Sequence, residues 1–202
     1  MPSPPHTPTI FTPDEVLDVE LTVDPAHHRA RLEDLEQRLG PRGSGEWGLQ
    51  ASRERDPLLA PAAIRLAGEQ RTDAQLRFAG HASLCGPWAA GRLKLPMQIE
   101  LTTPIDGFCS FHVVPGYRDP SLIRETLALE LLGRAGVPAL RTALCRVVLD
   151  HGDGPLYAGL YTLLESPTDR FLHDRFGATG GRLYEATGVG AEWRTTEPTG
   201  YR

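Results

Sequence analysis

Five short runs of alternating apolar and polar residues occupy much of the sequence between positions 62 and 164. Alternation with a period of two is typical of a β-strand that buries one face. Turn-forming glycine and proline residues lie between several runs, which favours antiparallel neighbours. The predicted strands span residues 62–67, 74–79, 92–101, 143–149 and 156–164. The sequence therefore predicts an α+β fold with one largely antiparallel sheet.

A capped helix interrupts this series of strands. Asp119 is its predicted N-cap and Gly136 its terminator, so the helix is expected over residues 121–134. Aliphatic residues surround most of its circumference, which predicts that the helix packs on the sheet. Glu130 lies among them, and a covered carboxylate would need a cationic partner. The alternative is an exposed pair between Glu130 and Arg134 at i, i+4.

The ends of the chain are predicted to be less regular than its centre. A strand over 16–23 and a helix over 24–40 come first, and a short helix is expected to end at Gly177. The segment 41–60 is rich in glycine, arginine and proline, which predicts a loop. The predicted boundaries are a flexible lead-in at 1–13, a folded domain at 14–185 and an irregular tail at 186–202.

Charge and composition disfavour several classes of partner. The net charge of −5 gives no basic field for nucleic acid, so no nucleic-acid partner is expected. The three cysteines are widely spaced and contain no CxxC motif, which fits a reducing compartment. The N-terminus shows no secretory signal pattern, and no apolar run approaches the roughly 18 residues of a membrane span. The expected location is cytoplasmic, with no membrane association.

A glycine-containing segment at residues 78–95 is a candidate phosphate site. Gly80 is the first of its three glycines, which let backbone N–H groups approach phosphate oxygens closely. Ser83 could add a hydroxyl, and Lys94 a point charge. The spacing matches neither the dinucleotide fingerprint nor the P-loop. A small-residue hairpin loop beside an ordinary lysine is therefore the alternative.

Three longer stretches resemble the bacterial spore-coat CotH kinase family. They are "RDPSLIRETLALELLGRAGVPALRT", "GLYTLLES" and "RFLHDRFGATGGRLYEA", and the resemblance covers roughly residues 10–190. It implies a protein-kinase-like N-terminal lobe with an antiparallel sheet, one packed helix and a truncated second lobe. The implied activity is transfer of the ATP γ-phosphate to protein side chains.

The resemblance also implies a set of nucleotide-contacting residues. They are Gly80, Ser83, Lys94, Glu130, Glu165 and Ser166. The first two correspond to the family's phosphate loop, and the last two to the hinge that meets adenine. Lys94 corresponds to the nucleotide-contacting lysine, and a kinase pairs such a lysine with a glutamate. Glu130 is the expected partner, with Glu125 as the open alternative.

The implied cofactors are ATP and Mg²⁺, but no catalytic or metal-binding residue is predicted within the chain. The family's catalytic-base and Mg²⁺-binding aspartates are expected beyond Arg202, since neither Asp169 nor Asp174 matches them. The chain alone is therefore expected to be inactive as a kinase. A noncatalytic interaction or scaffold module on the same fold is the second interpretation. The protein substrate or partner is not identified by the sequence.

Overall fold

The computed structural model describes residues 9–12, 15–45, 57–177 and 183. Within them, seven strands form a closed barrel, accompanied by four helices. The strands are β1 (Val16–Val23), β2 (Ala60–Leu66), β3 (Glu69–Phe78), β4 (Met97–Ile105), β5 (Phe108–Val114), β6 (Thr142–Asp150) and β7 (Pro155–Glu165). The helices are α1 (Pro25–Leu39), α2 (Ala82–Ala89), α3 (Arg124–Arg134) and α4 (Asp169–Phe176), preceded by a 3₁₀ turn at Thr9–Phe11.

The strands follow the order β1-β2-β3-β4-β5-β7-β6 around the barrel, and β6 closes onto β1. Each neighbouring pair is antiparallel except β1 and β6, which run parallel from Val16 beside Leu144 to Thr22 beside Asp150. The predicted kinase-type lobe, a sheet with one packed helix, is therefore wrong. The sheet closes into a barrel because β1 pairs with β2 on one side and with β6 on the other, so no strand edge is left open.

The core fills the inside of this barrel. Along β4, Met97, Ile99 and Leu101 are buried while Gln98 between them is partly exposed, so the alternation selects the buried face as predicted. The predicted strand at 92–101 nevertheless begins too early. The preceding residues are irregular up to Pro96, whose ring cannot donate a ladder hydrogen bond.

Two elements were not predicted. β5 lies between the predicted strand at 92–101 and the predicted helix at 121–134, where no strand was predicted, yet Phe108, Phe111 and Val113 are all buried in the core. α2 lies in the segment where a glycine-containing loop was expected. Gly86 and Pro87 within this helix have poor helix propensity. Burial of most of this short helix in the core overrides that propensity.

α3 lies on the outside of the barrel and contains no buried residue, so the predicted packing of this helix on the sheet is wrong. The helix also begins at Arg124, later than predicted. The Asp119 carboxylate instead accepts hydrogen bonds from the backbone N–H groups of Ser121 and Arg124, with Leu122 in between at a φ of 60°. The main contacts of α3 with the barrel are made with β6.

α1 confirms the capping pattern read from the sequence. The Asp24 carboxylate accepts hydrogen bonds from the backbone N–H groups of Ala26 and His27, and the helix ends at Gly40 with a φ of 81°. The short helix α4 likewise ends at Gly177 in the left-handed conformation. No helix in the described ranges has the length and apolar character needed to cross a membrane.

A histidine stack lies where α1 meets the β6–β7 hairpin. The rings of His28 and His151 are 4.6 Å apart and nearly parallel. Arg31, which is buried, donates from Nη2 to His28 Nδ1 at 3.0 Å and stacks over Phe78. Burial, followed by repulsion from Arg31 and His151, lowers the pKa of His28 from 6.5 to about 4. The folded protein therefore favours the neutral form of the His28 ring.

We expect this histidine to make the fold sensitive to acid between about pH 6.5 and pH 4. In this window the unfolded chain binds the His28 proton more tightly than the folded chain, so stability falls as the pH falls. Wild type should lose about 1–2 kcal/mol more than His28→Asn between pH 7 and pH 4.5, after allowance for the partial solvent exposure of the ring. Urea denaturation of both proteins at each pH measures the difference. Equal losses would contradict the assignment.

Candidate functional site

Lys94 lies in the irregular segment just before β4, at the end of the barrel that carries the β6–β7 hairpin. Its Nζ is 5.0 Å from the ring centre of Tyr161, and its side chain lies against Gly159. A Cβ added to Gly159 would be 3.0 Å from Lys94 Cε, so the glycine leaves room for the lysine. Burial lowers the pKa of Lys94. In the described part of the chain, no carboxylate lies within ion-pair distance of Lys94.

Gly80 and Ser83 lie beside this segment. Phe78 at the end of β3 pairs with Met97 at the start of β4, so the residues that follow Phe78 and those that precede Met97 share one end of the barrel. Gly80 has a φ of 113°, and an added Cβ would clash with Ser83 Oγ. Glycine is therefore required at this position. The fold brings Gly80, Ser83 and Lys94 into one region.

The pair between Lys94 and Glu130 does not form. Glu130 instead makes an ion pair with Arg134 one turn along α3, which is the alternative that the sequence left open. Glu125 makes no ion pair with Lys94 either. The reason is that α3 lies on the outer surface of the barrel and does not pack beside the lysine. The prediction of a Lys94–Glu130 bridge is therefore wrong.

Glu165 is fully buried at the end of β7. Its carboxylate accepts hydrogen bonds from the Arg141 backbone N–H at 3.0 Å, the Arg141 guanidinium at 3.0 Å and the Arg175 guanidinium at 3.1 Å. Its own backbone N–H donates to the Arg141 carbonyl oxygen at 2.9 Å. The N–H that the hinge prediction would offer to adenine is therefore already bonded within the protein.

Ser166, the second predicted hinge residue, is buried next to Glu165. Its hydroxyl lies 2.8 Å from the Ser110 hydroxyl, which also accepts a hydrogen bond from the Gln98 amide at 3.4 Å. The Ser166 carbonyl oxygen accepts a hydrogen bond from the backbone N–H of Thr168. These bonds fix the turn between β7 and α4, so Ser166 has a structural role in addition to any role in binding.

Five charged side chains form one linked group around Glu165, which we call the arginine cluster. Its members are Arg141, Arg170, Arg175, Glu165 and Asp174. Asp174 accepts from Arg141 at 2.8 Å and lies 3.6 Å from Arg170. Burial acts to raise the pKa of Asp174, but the hydrogen bonds and charge of its arginine neighbours outweigh burial and lower it. With three cations and two anions, the cluster carries one net positive charge.

A pocket of about 380 Å³ opens beside the arginine cluster. One wall is a face of α3 from Thr126 to Gly133, a second is the segment 136–142, and Asp174 and Arg175 on α4 form a third. Phe11 from the N-terminal 3₁₀ turn closes the apolar side, where its ring lies 5.0 Å from that of Phe108. The pocket combines apolar walls with a few converging polar groups, which is typical of small-ligand sites.

The six residues predicted to contact a nucleotide therefore fall into two groups. Gly80, Ser83 and Lys94 lie at one end of the barrel. Glu130 lines the pocket, and Glu165 binds two of its arginines. Lys94 lies against Gly159, six residues before Glu165 on β7, which corresponds to about 20 Å along the strand. The structure does not join the two groups into one cleft, and nucleotide contact by these residues remains a prediction.

The arginine cluster was not found from the sequence. Arg170 and Asp174 have helical i, i+4 spacing, and this was the one local signal available. Their meeting with Arg141 and Glu165 depends on the turn that brings α4 back beside the start of β6. Such a contact between distant segments has no sequence periodicity.

Comparison with known protein families gave a match over the C-terminal part of this chain. A family model described as CotH kinase protein matches residues 92–202, which is more than half of the chain. The chain belongs to the CotH kinase family. The resemblance read from the sequence is thereby confirmed over the region that holds Lys94, α3, the arginine cluster and every pocket residue except Phe11. No match was found among curated proteins.

Proposed function

We propose that this CotH-family chain is the ATP-binding portion of an atypical protein kinase, which transfers the ATP γ-phosphate to protein side chains. The observation that carries the proposal is Lys94, the single lysine of the chain, which lies inside the family match without an acidic partner in the described part. A partly buried ammonium group without a counterion favours an anionic ligand. Phosphate oxygens supply that charge.

The surroundings of Lys94 fit a phosphate group. Ser83 supplies a hydroxyl at the same end of the barrel. Gly80 has no Cβ, so its backbone can lie close to the Ser83 hydroxyl. ATP would supply the transferable γ-phosphate, while Lys94 would hold negative charge on the phosphate chain. For Mg²⁺, the described residues contain no group of three or more potential ligands. We therefore derive no metal-dependent step from them.

Calorimetric titration with ATP tests this proposal. We expect wild type to bind ATP and Lys94→Ala to bind it at least about tenfold more weakly, because the variant loses a charge-assisted contact. Arg65→Ala is the matched control. It also removes one positive charge, but Arg65 is an exposed residue on β2 that pairs with Glu20, so ATP binding should be unchanged. Equal heats for wild type and Lys94→Ala would rule out the proposed phosphate contact.

A noncatalytic interaction module is the second candidate, and α3 favours it. Ile123, Leu127, Leu131 and Leu132 are each between 44% and 57% exposed, and they lie on or next to a helix with no buried residue. Exposed aliphatic residues grouped in this way are typical of interaction surfaces. A module of this kind should bind no ATP and should be indifferent to Lys94→Ala. The same titration therefore discriminates between the two functions.

A further inference from the structure

The pocket beside the arginine cluster has an apolar side and a cationic side. Phe11, Leu129, Val137 and Leu140 supply apolar surface. Arg141 and Arg175 supply guanidinium groups. At about 380 Å³ its volume lies near the lower end of the range for small-ligand sites, which suits a ligand of single-ring size better than a nucleotide.

Arg175 is held in place by bonds on one side of its guanidinium. Its Nε and Nη2 donate to the carbonyl oxygen of Ala139 at 3.1 and 2.9 Å, and Nη2 also donates to Glu165. Nη1 donates to no group in the described part of the chain. A guanidinium already fixed in this way can bind a carboxylate without further loss of side-chain freedom.

The charges of the described residues around the pocket leave one cation in excess. Glu130 and Asp174 also line the pocket, but each is bound to arginine. The arginines at or behind the wall are Arg134, Arg141, Arg170 and Arg175, and the carboxylates are Glu130, Glu165 and Asp174. Four cations thus face three anions. One added negative charge would balance the group.

A second polar group in the wall lacks a partner among the residues that the structure describes. Thr126 lies on α3 and lines the pocket, and its Oγ1 is buried without a hydrogen bond. Buried hydroxyl groups are normally hydrogen-bonded, so this atom indicates a position for a polar ligand atom.

We propose that this pocket binds a small apolar monocarboxylate. The carboxylate bonds Arg175 Nη1 beside Arg141, and the hydrocarbon part packs between Phe11 and the leucines of α3 and the 136–142 segment. This site is separate from the one proposed for ATP, since Lys94 does not line it.

The test uses 3-phenylpropionate as the probe and 3-phenylpropanamide as its neutral counterpart, each titrated into the protein and followed by NMR chemical shifts. We expect saturable binding of the carboxylate and at least about tenfold weaker binding of the amide, because the amide lacks the charge-assisted hydrogen bonds. Equal affinities of the two probes, or no saturable binding of 3-phenylpropionate up to about 10 mM, would overturn the proposal.

Three variants test where the ligand binds. Gly133 lines the pocket in helical conformation, and an added Cβ would meet no atom within 4 Å, so Gly133→Leu should fill the pocket and abolish binding. Ala128→Leu adds the same side chain at an exposed position of α3 outside the pocket and should bind like wild type. Thr126→Val keeps the side-chain shape but removes the hydroxyl, and should weaken binding even if Gly133→Leu does not fold. Wild-type affinity in a folded Gly133→Leu, or in Thr126→Val, would place the ligand elsewhere.

Discussion

Glu165→Ala is expected to lower the free energy of unfolding by about 3–5 kcal/mol. Glu165 is fully buried and accepts three hydrogen bonds from Arg141 and Arg175. Its removal leaves two partly buried guanidinium groups and a backbone N–H without their acceptor. Since small domains are stable by only about 5–15 kcal/mol, this single change would remove a large fraction of the total. Urea denaturation monitored by circular dichroism measures the loss.

Glu130→Ala is the matched control for this prediction. Glu130 also bonds an arginine, but the Arg134 side chain is 74% exposed, so water replaces the lost contact. The expected change is below about 1 kcal/mol. If the two variants lost similar stability, burial of Glu165 would not be the reason for its effect. Glu165→Gln keeps the shape without the charge and should lie between Glu165→Ala and wild type.

Phe111→Ala is expected to destabilise the barrel by about 3–5 kcal/mol. Phe111 is fully buried, and its ring lies 6.0 Å from that of Phe108 and 6.4 Å from that of Phe11. Alanine would leave a cavity where β5 faces the N-terminal turn, and the surrounding barrel strands restrict relaxation into it. Guanidinium denaturation at pH 7 gives the free energy.

Leu156→Ala provides the comparison for this core variant. Leu156 lies on β7 with 59% of its surface exposed, so its truncation should change stability by no more than about 0.5 kcal/mol. An effect of Phe111→Ala as small as that of Leu156→Ala would mean that the interior of the barrel is not closely packed around the aromatic rings.

Local sequence patterns located many of the elements. The alternation around Ile99 identified a strand and its buried face, and the Asp24 cap identified the start of α1. These features depend on side chains a few residues apart, so they are visible in the chain itself. The same reasoning failed for α2, where the glycines of the segment 78–95 predicted a loop and burial in the core stabilises a helix.

Motif reading also identified the family but misplaced part of the site. The segments around α3 and β7 indicated the CotH kinase family, and the family match confirms this. The pairing of Lys94 with Glu130 required α3 to lie beside the lysine. The aliphatic residues of α3 suggested a buried helix, yet Leu131 is 57% exposed, because apolar composition does not specify which surface a helix contacts.

Local patterns in the chain were sufficient for the strand faces, the caps of α1, the terminating glycine of α4 and the family, since each depends on neighbouring residues or on the order of short motifs along the chain. The three-dimensional fold showed that β1 pairs with β6 in parallel and closes the barrel, because pairing between residues more than 120 positions apart depends on the whole fold. It also decided that Arg141, Arg175 and Asp174 meet around Glu165. A buried charge is stable only with such partners, and distant segments supply them only after the barrel has formed.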